Sequence, residues 1–200
     1  MKSILQSIKP QYCELIASGK KTIEVRKTRP KLDAPFKVYI YCTKDKLLTK
    51  SHNNGNIYLS ENKYKSALEK AGNLTLSGKV IGEYVCDNVE PKYCANGIAT
   101  YYENERGTCL SDAELQMYAD GVKPLYFWHI SDLKIYDKPK ELSEFTILCK
   151  EYDKDNPDCE CCDYQSATCD CDTPPQFDCK CNGLKPLTRP PQSWCYVEEA

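Results

Sequence analysis

Nowhere do the 200 residues hold a run approaching the roughly 18 apolar side chains that a bilayer-spanning helix requires. The opening residues MKSILQSIKP also lack the apolar stretch and small-residue cleavage site of a secretory signal. A soluble, cytoplasmic protein is therefore expected, with no membrane partner. No internal repeat runs through the chain, although a Cys-x-Cys unit recurs late in it. Neither sign of charge dominates: 27 Lys/Arg against 29 Asp/Glu leave a formal net of -2.

That small net value hides a polarity along the chain. Residues 1–50 hold twelve Lys/Arg against four Asp/Glu, whereas residues 151–200 hold four against eleven. A basic N-terminal third favours a phosphate-bearing partner, although a solvated lysine-rich face has the same composition. Cysteine is abundant: fourteen in all, eight of them at or after Cys159. Without an export signal these thiols are expected to be reduced, so their clustering points to metal or to a specialised segment.

Helix and strand periods alternate along residues 9–150. Pro10 suits a first helical turn and Gly19 a C-terminal cap, with Tyr12, Leu15 and Ile16 making one apolar stripe. Thr22 to Arg26 alternates strictly, predicting a strand whose Ile23 and Val25 face a core while Thr22, Glu24 and Arg26 share the other face. Phe36–Cys42 and Gly78–Cys86 read as further strands, the second with two glycines that suggest a bulge. Asn53 to Asn56 is a turn signal and Tyr64 to Lys70 could be a short helix. Ser111 with Glu114 is a capping box opening a helix that Gly121 ends, and Leu125–Ile130 and Leu133–Tyr136 read as late strands. The expectation is an α+β fold, a small mixed β-barrel with two or three short helices.

The segment Gly19-Lys20-Lys21-Thr22-Ile23-Glu24-Val25-Arg26 resembles the G-x-K-x-x-E-x-R signature of the ASCH family, within the PUA-like superfamily. Gly78 to Glu83 and Tyr126 to Ile130 are similar to that family's middle and late strands, the latter in bacterial and phage members. The resemblance spans roughly residues 1–150 and the last dozen. It implies a PUA-like barrel whose cleft takes RNA, a nucleotide or a nucleoside, with Lys20, Lys21, Thr22, Glu24, Arg26, Lys27 and Trp128 as candidate ligand-binding residues. On the residues alone, an ammonium beside the cleft suits a phosphate, and Glu24 and Arg26 on one strand face each hold the other. The bland alternative is a surface ion pair of little worth.

Some family members remove the acetyl group from acetylcytidine with a lysine, a threonine and a glutamate. Lys21 matches that lysine, but Glu24 stands where the threonine would be. Lys21 and Glu24 are therefore the catalytic candidates only if the chain is an enzyme, acting on a modified nucleoside or on RNA. A protein-interaction module is the third possibility. His129, among aromatic and apolar neighbours, reads as structural.

Residues 151–182 are acidic, cysteine-rich and poor in aliphatics, so they cannot fill a core of their own. They read as an insertion between a barrel of residues 1–150 and a returning segment, 183–200. Their thiols, Cys159, Cys161, Cys162, Cys169, Cys171, Cys179 and Cys181, could hold structural zinc, which would order such a segment. The spacing is not the usual pair of C-x-x-C knuckles, and a redox-sensitive loop is the alternative.

Overall fold

The computed structural model describes residues 3–44, 48–53, 56–61, 74–93, 106–121, 124–148 and 184–199. The chain begins with a buried strand, β1 (Ser3–Ile8), followed by helix α1 (Pro10–Ala17), β2 (Ile23–Arg26) and β3 (Phe36–Cys42). A hairpin, β4 (Leu48–Asn53) and β5 (Asn56–Glu61), pairs Asn53 with Asn56 across the anticipated turn and is joined by β6 (Leu74–Thr75). Then come β7 (Val80–Lys92), a 3-10 turn at Arg106–Thr108, helix α2 (Asp112–Ala119) and β8 (Leu125–Lys140). A second 3-10 turn leads into β9 (Phe145–Leu148), with β10 (Leu184–Pro186) and β11 (Trp194–Glu199) following.

Eight of these strands form one sheet in the order β10-β9-β11-β1-β3-β7-β8-β2, and β5-β4-β6 form a second. The β1–β3 pair is parallel and the other recorded pairings are antiparallel. The fold is α+β with two described α-helices, as expected, but in place of the small mixed barrel the strands form an open sheet: no ladder joins the terminal strands β10 and β2 among the described residues. Three strands separate β2 from β1 in the ladder, yet the Arg26 side chain on β2 donates to the carbonyl of Ser7 on β1 at 2.7 Å. The sheet therefore curls until a guanidinium spans what backbone pairing leaves open.

The local devices explain this curl. The β7–β8 register shifts between Val80 and Gly82, between Glu83 and Val85, and between Cys86 and Val89, and bulges of this kind add twist. Gly82 is needed where the strands approach closely, since a Cβ there would lie 2.5 Å from the Lys134 carbonyl. The two late strands expected from sequence are one continuous strand, β8, in which Asp132 takes a positive φ of 46°. β1 was not anticipated, because its central Gln6 and Ser7 interrupt the apolar signal although all six residues are buried.

Two faces of apolar packing hold the sheet. On one, α1 places Cys13 and Ile16 against Ile4, Ile8, Val38, Ile40, Tyr84 and Trp128. Cys13 takes the buried helix position that the stripe assigned to Leu15, which is only half-buried. On the opposite face, α2 packs Leu115 and Ala119 over Ile23, Val25 and Phe127, and Tyr39, Tyr41 and Phe145 fill a separate cluster with Leu5. Trp128 is fully buried, and burying a large apolar side chain of this kind contributes roughly 1.5–3 kcal/mol. β2 thus lies between two cores, which is why all four of its residues are buried.

Candidate functional site

α1 ends where Gly19 takes a φ of +73°, and the amides of Lys20 and Lys21 both donate to the Leu15 carbonyl at 3.0 Å. This turn sends Lys21 inward at the start of β2, where it is 2% exposed. Its Nζ donates to the Thr108 carbonyl at 2.6 Å and lies 3.4 Å from Glu24 Oε2. Glu24 Oε1 in turn meets Arg26 Nη2 at 2.9 Å. The same guanidinium donates to the Ser7 carbonyl, and through Nη1 to Ser193 Oγ at 3.2 Å and the Ser193 carbonyl at 3.4 Å. One chain of charged contacts thus ties the 3-10 turn, β2, β1 and the approach to β11 together.

Two cations and one carboxylate make a cluster of net charge +1 in a place where unpaired charge is costly. Glu24 is the single acid among the buried described residues. The Tyr12 ring of α1 lies over Lys21, with Nζ 5.3 Å from its centroid, close enough for a cation–π contact. Burial first, then the charges of Glu114 and Glu24, push the Tyr12 hydroxyl above its ordinary value.

Other residues of the motif are exposed. Lys20, Thr22 and Lys27 all face solvent. Thr22 donates its amide to the Gly107 carbonyl at 2.8 Å, and a Cβ at Gly107 would come within 2.4 Å of Thr22 Oγ1. Lys27 Nζ sits 5.2 Å from the Tyr118 ring centroid, and Tyr118 is 38% exposed beside the more exposed Met117. The exposed residues thus include lysines, a hydroxyl and an aromatic ring, while Lys21, Glu24 and Arg26 are buried. Of the candidates named from sequence, Lys21, Glu24 and Arg26 are buried because both faces of β2 carry core, and Lys20, Thr22 and Lys27 are exposed.

Trp128 also lies inside. Its ring packs edge-on against Phe36 at 5.5 Å and tilted by 57° against Trp194 at 5.9 Å, and being fully buried it presents no ring face to a base. His129 points to the other side of β8, with Nε2 3.7 Å from Glu90 Oε1. Glu114 is exposed and occupied by helix capping: Oε2 accepts from the Ser111 amide at 2.8 Å and from its hydroxyl at 2.7 Å, and these bonds hold its carboxyl below the usual range.

Sequence reasoning did not single out Ser7, Thr108 or Ser193, whose carbonyls complete the cluster. A backbone acceptor has the same chemistry at every residue, so nothing in the sequence marks it. Tyr118 carried no signal because it lies on a helix of weak apolar period. A surface cleft of about 690 Å³, lined among others by Ser7, Tyr41, Lys44, Glu141, Pro191 and Gln192, opens beside β1. Its charged lining residues are Lys44 and Glu141, and Glu141 meets Lys79 at 2.6 Å. The cysteines 159, 161, 162, 169, 171, 179 and 181 lie outside the described residues. Among the described residues no group of three His, Cys, Asp or Glu side chains could hold a metal ion, and no helix is long and apolar enough to cross a membrane.

No family model matches the chain, and no curated protein does. Among solved structures it is similar to ASCH from Zymomonas mobilis, at 18% identity over 70% of this chain and 73% of that one, with a TM-score of 0.47. Crystal structures of two mutants of that protein match alike, with TM-scores of 0.48 and 0.46, also at 18% identity, covering 71% and 70% of this chain and 77% and 74% of theirs. At that identity and those scores the likeness says nothing of ligand or activity, and it is the name ASCH that these structures share with the signature at Gly19–Arg26.

Proposed function

We propose that the chain binds RNA or a nucleotide on the surface formed by Lys20, Thr22, Lys27 and Tyr118. The observation that carries this reading is Lys27 set over the exposed Tyr118 ring, above a buried cluster of net positive charge. Ammonium groups suit phosphates and an exposed tyrosine suits a nucleobase, each without demanding a particular sequence. Lys21, Glu24 and Arg26 act in this reading as the frame that fixes the turn after α1 and adds a positive field, not as groups that touch the ligand. The cytoplasm is the compartment that fits such a partner and the chain's many thiols.

Binding of a fluorescent single-stranded RNA, followed by anisotropy over a salt series, tests the proposal. Affinity that falls with salt and weakens in Lys27→Ala supports it. Affinity that is unaffected by Lys20→Ala and Lys27→Ala together sinks it.

A second reading, hydrolysis of a modified nucleoside or of RNA, draws on the 3.4 Å approach of Lys21 Nζ to Glu24. A lysine and a carboxylate so placed could exchange a proton. Turnover of acetylcytidine, lost in Lys21→Ala while RNA binding survives, would favour it. A third, protein docking, draws on the exposed Met117 and would be favoured if neither RNA nor nucleoside binds. For the seven cysteines 159–181 we propose structural zinc, on the chemistry of clustered thiolates alone.

A further inference from the structure

The loop from β2 to β3, residues 27–35, carries three cations within five positions: Lys27, Arg29 and Lys31. All three are exposed, and no ion pair engages any of them among the described residues. Arg29 Nε reaches only the carbonyl of its neighbour Pro30, at 3.5 Å, which leaves its charge without a counter-charge. Asp33 is the single acid of the loop. Chain length alone keeps the Cα atoms of Arg29 and Lys31 within about 7 and 14 Å of that of Lys27. Like charges at that separation repel, since the Debye length at physiological salt is about 8 Å.

The loop is nevertheless pinned to β11. Trp194 Nε1 donates to Thr28 Oγ1 at 3.0 Å, and the Lys31 amide donates to the Tyr196 hydroxyl oxygen at 2.7 Å. Between these two bonds Pro30 is buried, and beyond them Leu32 packs on the α1 core. The pins are themselves anchored. Trp194 and Tyr196 pack edge to face at 5.5 Å, and Trp194 lies 5.9 Å from the buried Trp128 ring. Ser193, just before Trp194, accepts from Arg26 at the end of β2.

These bonds use the Thr28 hydroxyl and the Lys31 amide, so the cationic side chains stay exposed. Holding like charges together in advance favours one class of ligand, a chain of several anionic groups, because the ordering cost is met before binding. We propose that residues 27–31 form a latched basic arm that extends the RNA-binding surface beyond Lys27. Arg29 and Lys31 face further backbone phosphates, and Trp194 and Tyr196 are positioning residues. The arm rests on the RNA-binding reading of Lys20, Thr22, Lys27 and Tyr118, and it assigns that surface a single strand of RNA rather than a lone nucleotide.

The probe is a fluorescent single-stranded RNA of about twelve nucleotides, titrated with the full chain over a salt series. An Arg29→Ala/Lys31→Ala variant keeps both latch bonds and should show a slope of log affinity against log salt shallower by about 1.4, or roughly 25-fold weaker binding at 0.1 M salt if affinities converge at 1 M. Trp194→Phe/Tyr196→Phe keeps both rings and removes both bonds. It should weaken binding roughly fivefold at every salt with the slope unchanged, and should cost nothing further in the Arg29→Ala/Lys31→Ala background. Salt-dependent binding by the wild type with an unchanged slope in Arg29→Ala/Lys31→Ala overturns the arm and leaves the reading of Lys20 and Lys27 standing. A latch effect that persists in the Arg29→Ala/Lys31→Ala background overturns the positioning role. No salt-dependent binding by the wild type overturns the reading and the arm together. If the latch variant does not fold, the slope of Arg29→Ala/Lys31→Ala decides alone.

Discussion

Replacing Glu24 by Gln keeps the shape of the side chain and removes the charge that Lys21 and Arg26 share. The two contacts lie at 3.4 and 2.9 Å. At an effective dielectric of about 20, each is a gross attraction on the order of 5 kcal/mol. Desolvation consumes much of that when the cluster assembles, but truncating one member leaves the other charges buried without compensation, which costs about 3–5 kcal/mol. In a chain of this length each kcal/mol moves the thermal midpoint by roughly 2–4 °C, so Glu24→Gln should lower it by about 6–20 °C. The control is Glu141→Gln. Its ion pair with Lys79 is shorter, at 2.6 Å, but the two side chains are 57% and 33% exposed. Exposed pairs contribute about 0–1 kcal/mol, so that midpoint should move by less than about 4 °C. Burial, not distance, decides between the two. Differential scanning calorimetry of both variants measures this, and equal shifts would refute the reasoning.

The remaining predictions concern neighbouring features. Glu83 is pushed up by partial burial, but the hydrogen bond from Tyr136 and the charge of Lys37 bring its carboxyl below the ordinary value. A lowered folded pKa contributes stability that is complete above the unfolded value, about 4.3, and is lost as pH falls through the folded value; Tyr136→Phe should therefore cost less at about pH 3 than at pH 7, read from urea midpoints. Burial pushes the Cys86 thiol up to about 12 and the Cys195 thiol up to about 11, so both stay protonated near pH 8. Peptide mapping after brief iodoacetamide treatment should find half-exposed Cys109 labelled before either, and early labelling of Cys86 would contradict the packing. Gly107→Ala should cost roughly 1–3 kcal/mol, since the new Cβ meets Thr22 Oγ1 and Ile23 Cγ1 at 2.4 and 3.1 Å; chemical denaturation reads it. Elemental analysis of purified protein should find zinc, and a ratio near zero per chain would remove the metal proposal.

Much of the scaffold was legible because its signals are local. The Pro10 start and Gly19 stop of α1, the Ser111–Glu114 capping box and the strand Phe36–Cys42 each depend on residues within a few positions of one another. The bulges at Gly82 and beyond were foreshadowed by glycine where two strands press together. β1 was missed because a strand between two other strands needs no alternation, and Gln6 is tolerated there by its bond with Tyr84.

The site was legible in its members but not in its depth. Alternation placed Glu24 and Arg26 on one face, as observed, but could not say that α1, Trp128 and β1 would cover that face. Which face of a strand is solvated depends on what the rest of the chain packs against it, and the partners of Arg26 lie 19 and 167 residues away. Lys20 and Lys27, which alternation did not distinguish from Lys21, keep the exposure that the binding reading needs.

The most direct test of that reading is the salt dependence of single-stranded RNA binding, compared between the wild type and a Lys20→Ala/Lys27→Ala variant. Each phosphate contact on a single strand contributes about -0.7 to the slope of log affinity against log salt. If both lysines face phosphates, the variant's slope should be shallower by about 1.4, with the thermal midpoint unchanged. Identical slopes, or no salt-dependent binding by the wild type, would contradict the assignment of this surface to nucleic acid.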